Sequence, residues 1–334
     1  MTAASLGKLA RGGFVFGKAG SRFQGECVLP YEPKLTMESN EMRRRTYRLI
    51  SCALALTVGL LVTGCVGLHN AMSFPVTRTA TIRLYALPKG TEPVRIALLS
   101  DIHVGNLVMR PKRLRSIVDA VNEAHPDIVL LAGDFVIGES YKGTARRALD
   151  LAPLASLRAP GGVFAVLGNH DHWTDPEAVR SSLRSAGVFV LENDAIRRGA
   201  ITIVGIDDRF SGHDNIARSA QRAAKLGGIP IAFTHSPDLA PDMPKNMTVL
   251  FAGHTHCGQL VAPVVGPIVQ YSRGRRLYDQ KYSCGRIVEP RRVTIVTGGI
   301  GSGELPLRFN ARPDWWLVEL APWKSDATYK RKVA

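Results

Sequence analysis

The chain has 334 residues, a formal charge of +15 and five cysteines. With 45% hydrophobic and 21% charged residues, its composition is globular, which excludes wholesale disorder, collagen and low-complexity scaffolds. Cys27, Cys52, Cys65, Cys257 and Cys284 are too few and too scattered for a disulfide-stapled fold, and none forms the paired spacing of a zinc ribbon or a thioredoxin-like motif.

Residues 1–48 carry nine Lys or Arg against four Asp or Glu. We expect this stretch to be disordered, or the start to lie at Met37 or Met42, which residues 1–36 precede. Leu49 to Leu68 follows without one charge, and Arg43, Arg44, Arg45 and Arg48 stand before it. Twenty apolar residues at 1.5 Å each match a hydrocarbon core of about 30 Å. The segment reads as a transmembrane anchor or a signal. Arg44 to Leu49 partly resembles a twin-arginine motif, and Val62-Thr63-Gly64-Cys65 a lipobox. The Arg cluster places the N-terminal side in the cytoplasm. The expectation is an inner-membrane protein with an extracytoplasmic C-terminal part. Residues 69–93 read as a juxtamembrane linker with one alternating run, Thr81 to Tyr85.

From 94 the chain alternates apolar runs with amphipathic stretches. Strands are predicted at 94–99, 128–132, 163–167, 201–205, 230–234, 248–252 and 292–297. Helices are predicted at 111–124, 143–157, 175–186 and 215–226. Near-continuous Val, Ile and Leu runs followed by amphipathic helices call for α/β architecture, with sheets covered on both faces. One domain is expected over 94–322, then a basic tail over 323–334.

Polar, metal-capable residues stand at the ends of successive strands: Asp101 and His103, then Gly133-Asp134, then Gly168-Asn169-His170-Asp171, His235, and Gly253-His254-Thr255-His256. Sites in open α/β sheets form outside the carboxyl ends of strands. Asp101 and His103 are two apart, so in an extended segment both point to one side, and His254 and His256 repeat that spacing. Gly133 lets the backbone turn near a cation. Two carboxylates, an amide and four imidazoles suit two divalent ions such as Mn, Fe, Zn or Co better than an all-oxygen Ca or Mg cage. Each short motif alone is ordinary, since DxH and HxH pairs are often surface residues and GNHD can be a capped turn. It is their order at successive strand ends that carries weight.

The ordered set DxH, GD, GNHD, H, GHxH resembles the calcineurin-like metallophosphoesterases over roughly residues 93–305. The anchor and the run Gly298-Gly299-Ile300-Gly301 look most like small bacterial membrane-associated members, some of whose relatives cleave the pyrophosphate of UDP-2,3-diacylglucosamine in lipid A synthesis. Cys257 departs from the Gly that is commoner after the last His. The resemblance implies two packed mixed β-sheets flanked by helices. It implies one ion on Asp101, His103 and His256, a second on Asn169, His235 and His254, and Asp134 bridging both. It implies in-line attack by a hydroxide shared between the ions. His170 would stabilise the transition state or protonate the leaving group, and Asp171 would orient His170.

The expected activity is hydrolysis of a phosphodiester or pyrophosphate, with a lipid-linked nucleotide as one candidate substrate. A nuclease or nucleotide phosphodiesterase, and a non-catalytic metal-binding scaffold, are the alternatives. The dispersed basic charge fits phosphate esters or anionic lipid, and no helix-turn-helix, zinc-finger or RNP pattern points to specific nucleic-acid binding. The expected partners are therefore a phosphate-ester substrate and a bilayer. His172 reads as a solvated loop residue, and Trp315 and Trp316 as packing. Cys257 and Cys284 can pair in an oxidising compartment, but no spacing rule requires it.

Overall fold

The computed structural model describes residues 35–323 apart from Arg273. The expectations for residues 1–34 and for the tail 324–334 lie outside the described residues. The described residues up to Thr57 and those from Val58 onward fall into two units.

The first unit, where described, is helical from Leu35, within helix α1 (Leu35–Met72), and its side chains from Asn40 onward are exposed. The helix is longer than the apolar run because its basic and Thr-bearing flank is also compatible with helix. From Asn40 to Met72 it is long and apolar enough to cross a membrane, by length and composition.

The second unit holds the last turns of α1 and two six-stranded sheets. The first sheet is ordered β1 (Val76–Leu84), β16 (Asp314–Pro322), β2 (Val94–Leu99), β3 (Ile128–Ala132), β4 (Val163–Val166) and β5 (Phe189–Val190). The strands from β2 to β5 run parallel, while β16 is antiparallel to β2 and parallel to β1. The second sheet is ordered β14 (Gly285–Glu289), β15 (Arg292–Val296), β9 (Val249–Ala252), β8 (Ile229–Phe233), β7 (Ile201–Gly205) and β6 (Asp194–Arg198). Both sheets are mixed. The two short hairpins β10–β11 (Val261–Ala262, Gly266–Pro267) and β12–β13 (Tyr271–Ser272, Arg275–Arg276) lie between β9 and β14.

The apolar runs are explained by burial on both faces. Leu98, Leu130 and Phe164 of the first sheet meet Ile203, Phe233 and Phe251 of the second in the core between the sheets. The opposite face of the first sheet buries Ala97, Val129 and Ala165 under α2 (Pro111–Glu123), α3 (Thr144–Ala148) and α5 (Pro176–Ser185). Helix α2 starts with Pro111, whose missing N–H costs nothing in the first turn, and it buries Leu114, Ile117, Val118 and Val121 as one stripe. The second sheet packs Val204, Ala232 and Leu250 against Ala223 of α6 (Ile216–Leu226). The expected two packed mixed sheets flanked by helices are what the chain forms.

Part of the region read as a linker belongs to the first sheet: Val76–Leu84 pairs in register with Asp314–Pro322. Along β1 only Ile82 and Leu84 are buried, so this edge strand carries a weak apolar signal. Trp315 and Trp316 are buried on opposite faces of β16, as packing residues.

Candidate metal centre

The carboxyl ends of β2, β3, β4, β8 and β9 lead into one cluster. Asp101 N donates to Gly133 O and His103 N to Asp134 O, so the first two loops are stitched together beyond their strands. The seven predicted ligands gather here, six of them in two sets: Asp101, His103 and His256, and Asp134, His235 and His254. Asp134 Oδ2 lies 3.5 Å from His103 Nε2 and 3.2 Å from His235 Nε2, between the sets. Asn169 Oδ1 lies 3.2 Å from His235 Nε2.

The ring nitrogens identify what the cluster can bind. His235 Nδ1 donates to Ala132 O at 2.7 Å and His254 Nε2 to Leu277 O at 2.9 Å. In neutral imidazoles with those tautomers, His235 Nε2 and His254 Nδ1 both present lone pairs, yet they face each other at 3.2 Å. His103 Nε2 and His256 Nε2 face each other at the same distance. Asp101 Oδ1 accepts no hydrogen bond from any described residue although its side chain is fully buried. Imidazole nitrogens and carboxylate oxygens converging from separate loops fit divalent cations, which would take the place of the protons that His235 and His256 otherwise hold between these rings.

Burial depresses His103 to about 3 and His254 to about 4, which keeps their lone pairs available. Burial pushes Asp101 up to about 6, the mark of a carboxylate awaiting positive charge. Burial would also raise Asp134, but His235, His170 and His103 hold it well below the usual carboxylate range. Burial would lower His235, yet the Asp134 carboxylate beside it holds the imidazolium well above its ordinary value.

The expected extended geometry is not what aims the paired ligands. Asp101, His103, Asp134, His254 and His256 all have φ between 49° and 69°. Left-handed backbone is costly for non-glycine residues and persists where surrounding contacts impose it. Here each loop must turn sharply off its strand to bring donors from separate strands to one point. Glycine is needed where these loops touch: a Cβ on Gly253 would stand 1.9 Å from Ser100 Oγ and 2.7 Å from Asp101 Oδ2. Gly253→Ala should displace the Asp101 loop. The expected result is a loss of bound metal with a cost of about 1–3 kcal/mol in stability, read by metal analysis and thermal unfolding. Unchanged metal content would show that the contact yields freely.

His170 opens helix α4 (Asn169–Trp173). Its backbone N donates to Asp134 Oδ1, and its Nδ1 lies 2.8 Å from Gly138 O. With that carbonyl taking the Nδ1 proton, Nε2 is the nitrogen left for a substrate. His170 lines a cleft of about 240 Å³ with Asp134, Asn169, His254 and His256. Trp173, Phe210, Leu260, Val269, Leu277 and Leu305 give the cleft a largely apolar wall, which Glu139 and Glu304 interrupt.

The expected role of Asp171 fails. Its carboxylate accepts from Phe135 N, Val136 N and Gly168 N, and the carbonyl of Gly138, not Asp171, meets the His170 ring. Neighbours on a helix do not face each other, so adjacent residues could not form that dyad. Asp171 instead ties the GNHD turn to the loop after β3. Burial, with Asp134 nearby, raises it to about 7 despite those donors.

Other residues lay beyond the motifs. Arg308 is fully buried and reaches His256 Nδ1 at 3.0 Å and the carbonyls of Gly298, Gly301 and Ala311. Burial lowers it only to about 10, so it remains a cation at neutral pH. No motif flags it; a lone Arg in the run Leu305 to Asn310 is the only signal. His172 is not solvated: it pairs with Asp207 at 2.8 Å and stacks on His213 at 3.7 Å. Cys257 and Cys284 form a disulfide.

Residues 94–258 match the family model for calcineurin-like phosphoesterases. An uncharacterized metallophosphoesterase, YkuE, of Bacillus subtilis is 29% identical over 71% of this chain and 82% of its own length. A transmembrane protein with metallophosphoesterase domain from Danio rerio is 30% identical over 80% of this chain, which spans 62% of that protein. An uncharacterized metallophosphoesterase of Aquifex aeolicus is 29% identical over 72% of this chain and 89% of its own length.

Proposed function

The chain belongs to the calcineurin-like metallophosphoesterases, and from that premise we propose that it hydrolyses a phosphodiester or pyrophosphate bond at the cluster between the strand ends. In this reading Asp101, His103 and His256 would hold one divalent ion, Asn169, His235 and His254 would hold the other, and Asp134 would serve both. The observation that carries it is the pair of facing imidazole nitrogens, His235 against His254, whose other nitrogens both donate to backbone carbonyls. Two divalent ions so held would supply Lewis-acid charge to phosphate oxygens and lower the pKa of a water.

The chain's own groups do the rest. Gly138 O fixes the His170 ring through Nδ1, so that in the imidazolium form Nε2–H would give its proton to the leaving oxygen. Asp134 holds the His170 backbone in place while its other oxygen faces the imidazoles. The largely apolar wall suits a phosphoester that carries an apolar group. A lipid-linked nucleotide, with UDP-2,3-diacylglucosamine as the sequence-based candidate, is one such substrate.

We place the protein in the inner membrane by helix α1, with the catalytic unit on the extracytoplasmic side. The Arg-rich flank before Leu49 and the Cys257–Cys284 disulfide support that side.

The test is hydrolysis by the full chain, loaded with Mn, Fe, Zn or Co in turn. Bis-p-nitrophenyl phosphate, p-nitrophenyl phosphate and UDP-2,3-diacylglucosamine are assayed beside His170→Ala. The variant is expected to keep both metals and lose about 10²–10⁴-fold in turnover, the range for a general acid–base group. A fully loaded wild-type chain inert towards all three would favour the non-catalytic scaffold.

A further inference from the structure

Directly after the His256–Cys257 turn the chain runs out into the β10–β11 hairpin. From Val261 to Tyr271 the sequence contains no charged residue. Val264 and Val265, between the two strands, are 107% and 76% exposed, and Ile268 follows at 64%. Val264 also has φ 69°, a strained conformation for a β-branched residue. Tyr271 and Leu305 are exposed as well. Single exposed apolar residues need no explanation, but a contiguous uncharged group of this kind marks a contact surface.

The neighbours of this surface indicate what covers it. The base of the hairpin is fixed to the segment after Leu305: Val261 N donates to Phe309 O at 3.0 Å, and Asn310 Nδ2 to Val261 O at 2.8 Å. The same segment holds the end of helix α1. A Cβ on Gly67 would meet the Phe309 ring at 2.6 Å, and Arg308 N donates to Gly67 O. Phe309 thus touches both: its ring packs at Gly67 in the last turns of α1, and its carbonyl accepts from Val261 at the root of the uncharged hairpin. On the next hairpin, Arg275 and Arg276 are exposed, and the Arg275 guanidinium lies 4.9 Å over the Phe210 ring in the cleft wall. A short apolar projection flanked by arginines and rooted beside a membrane helix is complementary to an anionic bilayer surface.

We propose that the β10–β11 hairpin dips into the interface of the bilayer that helix α1 crosses, setting the cleft wall formed by Leu260, Val269 and Leu305 at headgroup level. The proposal rests on the reading of α1 as membrane-spanning and deepens the proposed function. A phosphoester anchored in the bilayer then reaches the cluster along apolar side chains without leaving the membrane surface.

The experiment uses the full chain in nanodiscs of equal parts phosphatidylcholine and phosphatidylglycerol. Cys27, Cys52 and Cys65 are changed to Ser, and Val265→Cys carries an environment-sensitive nitrobenzoxadiazole label. Reductant is omitted so that the disulfide stays closed. A matching label at Val288→Cys, exposed on β14 of the second sheet, is the reference. Expected at 265 are blue-shifted emission and several-fold stronger quenching by lipids bearing a shallow acyl-chain nitroxide than at 288. Quenching at 265 no stronger than at 288 overturns the hairpin proposal and leaves the catalytic reading standing. A blue shift without nitroxide quenching also overturns it, in favour of cover by protein such as a second copy. A chain that does not enter nanodiscs overturns both this proposal and the membrane reading of α1, while turnover in detergent still tests the catalytic reading separately.

Discussion

Asp134→Ala is expected to empty both halves of the metal cluster and to lower turnover by at least 10²–10³-fold, the scale for removing one preorganised charge-stabilising contact. Its Oδ2 lies within 3.5 Å of both His103 and His235, so its loss removes the carboxylate between the two sets and leaves Asp101 beside His103 and His256 alone. Oδ1 also accepts the His170 backbone N–H, so the turn carrying the acid–base histidine is released as well. Proton competition adds a pH signature. In the metal-free chain Asp134 holds His235 protonated well above its ordinary value. A cation must displace that proton, so metal affinity should fall as pH falls and strengthen as pH rises through the His235 titration. Metal content by mass spectrometry, with turnover on bis-p-nitrophenyl phosphate, checks both statements. Two ions retained in the Asp134→Ala chain would sink the bridging role.

The donors of this site were legible because each follows an apolar strand that is readable by itself. Val94–Leu99, Ile128–Ala132 and Val249–Ala252 are buried on both faces, so their ends, and the polar residues after them, stand out in the sequence. Orientation was not legible. Spacing placed Asp171 beside His170, but the turn of α4 sends its carboxylate to Phe135, Val136 and Gly168. The left-handed backbone at Asp101 and His103 is imposed by hydrogen bonds to the next loop, which no local pattern records. The strand Val76–Leu84 was hidden for a related reason. Its partner lies at Asp314–Pro322, at the far end of the domain, and an edge strand needs little apolar alternation. The disulfide is likewise a product of tertiary proximity, with its cysteines 27 residues apart in the chain.

Arg308→Met is the substitution expected to destabilise the fold most, by about 3–5 kcal/mol, because it removes one member of a buried charged network. The guanidinium satisfies the carbonyls of Gly298, Gly301 and Ala311 at once, and Met offers no donor to any of them. Asp101 and Asp314 would also lose the nearby cation. At roughly 2–4 °C per kcal/mol for a domain of this size, the unfolding midpoint should fall by on the order of 10 °C. Arg308→Lys separates charge from shape. A lysine keeps the cation, but its single ammonium cannot span carbonyls that the planar fork reaches together, so most of the loss should remain. The effect should reach the metal cluster too, since the same guanidinium contacts His256 Nδ1 and the His256 carbonyl. It should reach the end of helix α1 through the backbone, where Arg308 N donates to Gly67 O and Asn70 Nδ2 donates to Arg308 O. One residue therefore ties a predicted ligand loop to the last turns of the apolar helix. Arg308→Met in the full chain should lose metal from the His256 side and increase amide exchange at residues 67–72 together. A normal unfolding midpoint, or exchange changed at only one of the two places, would show that the buried arginine is not the link between them.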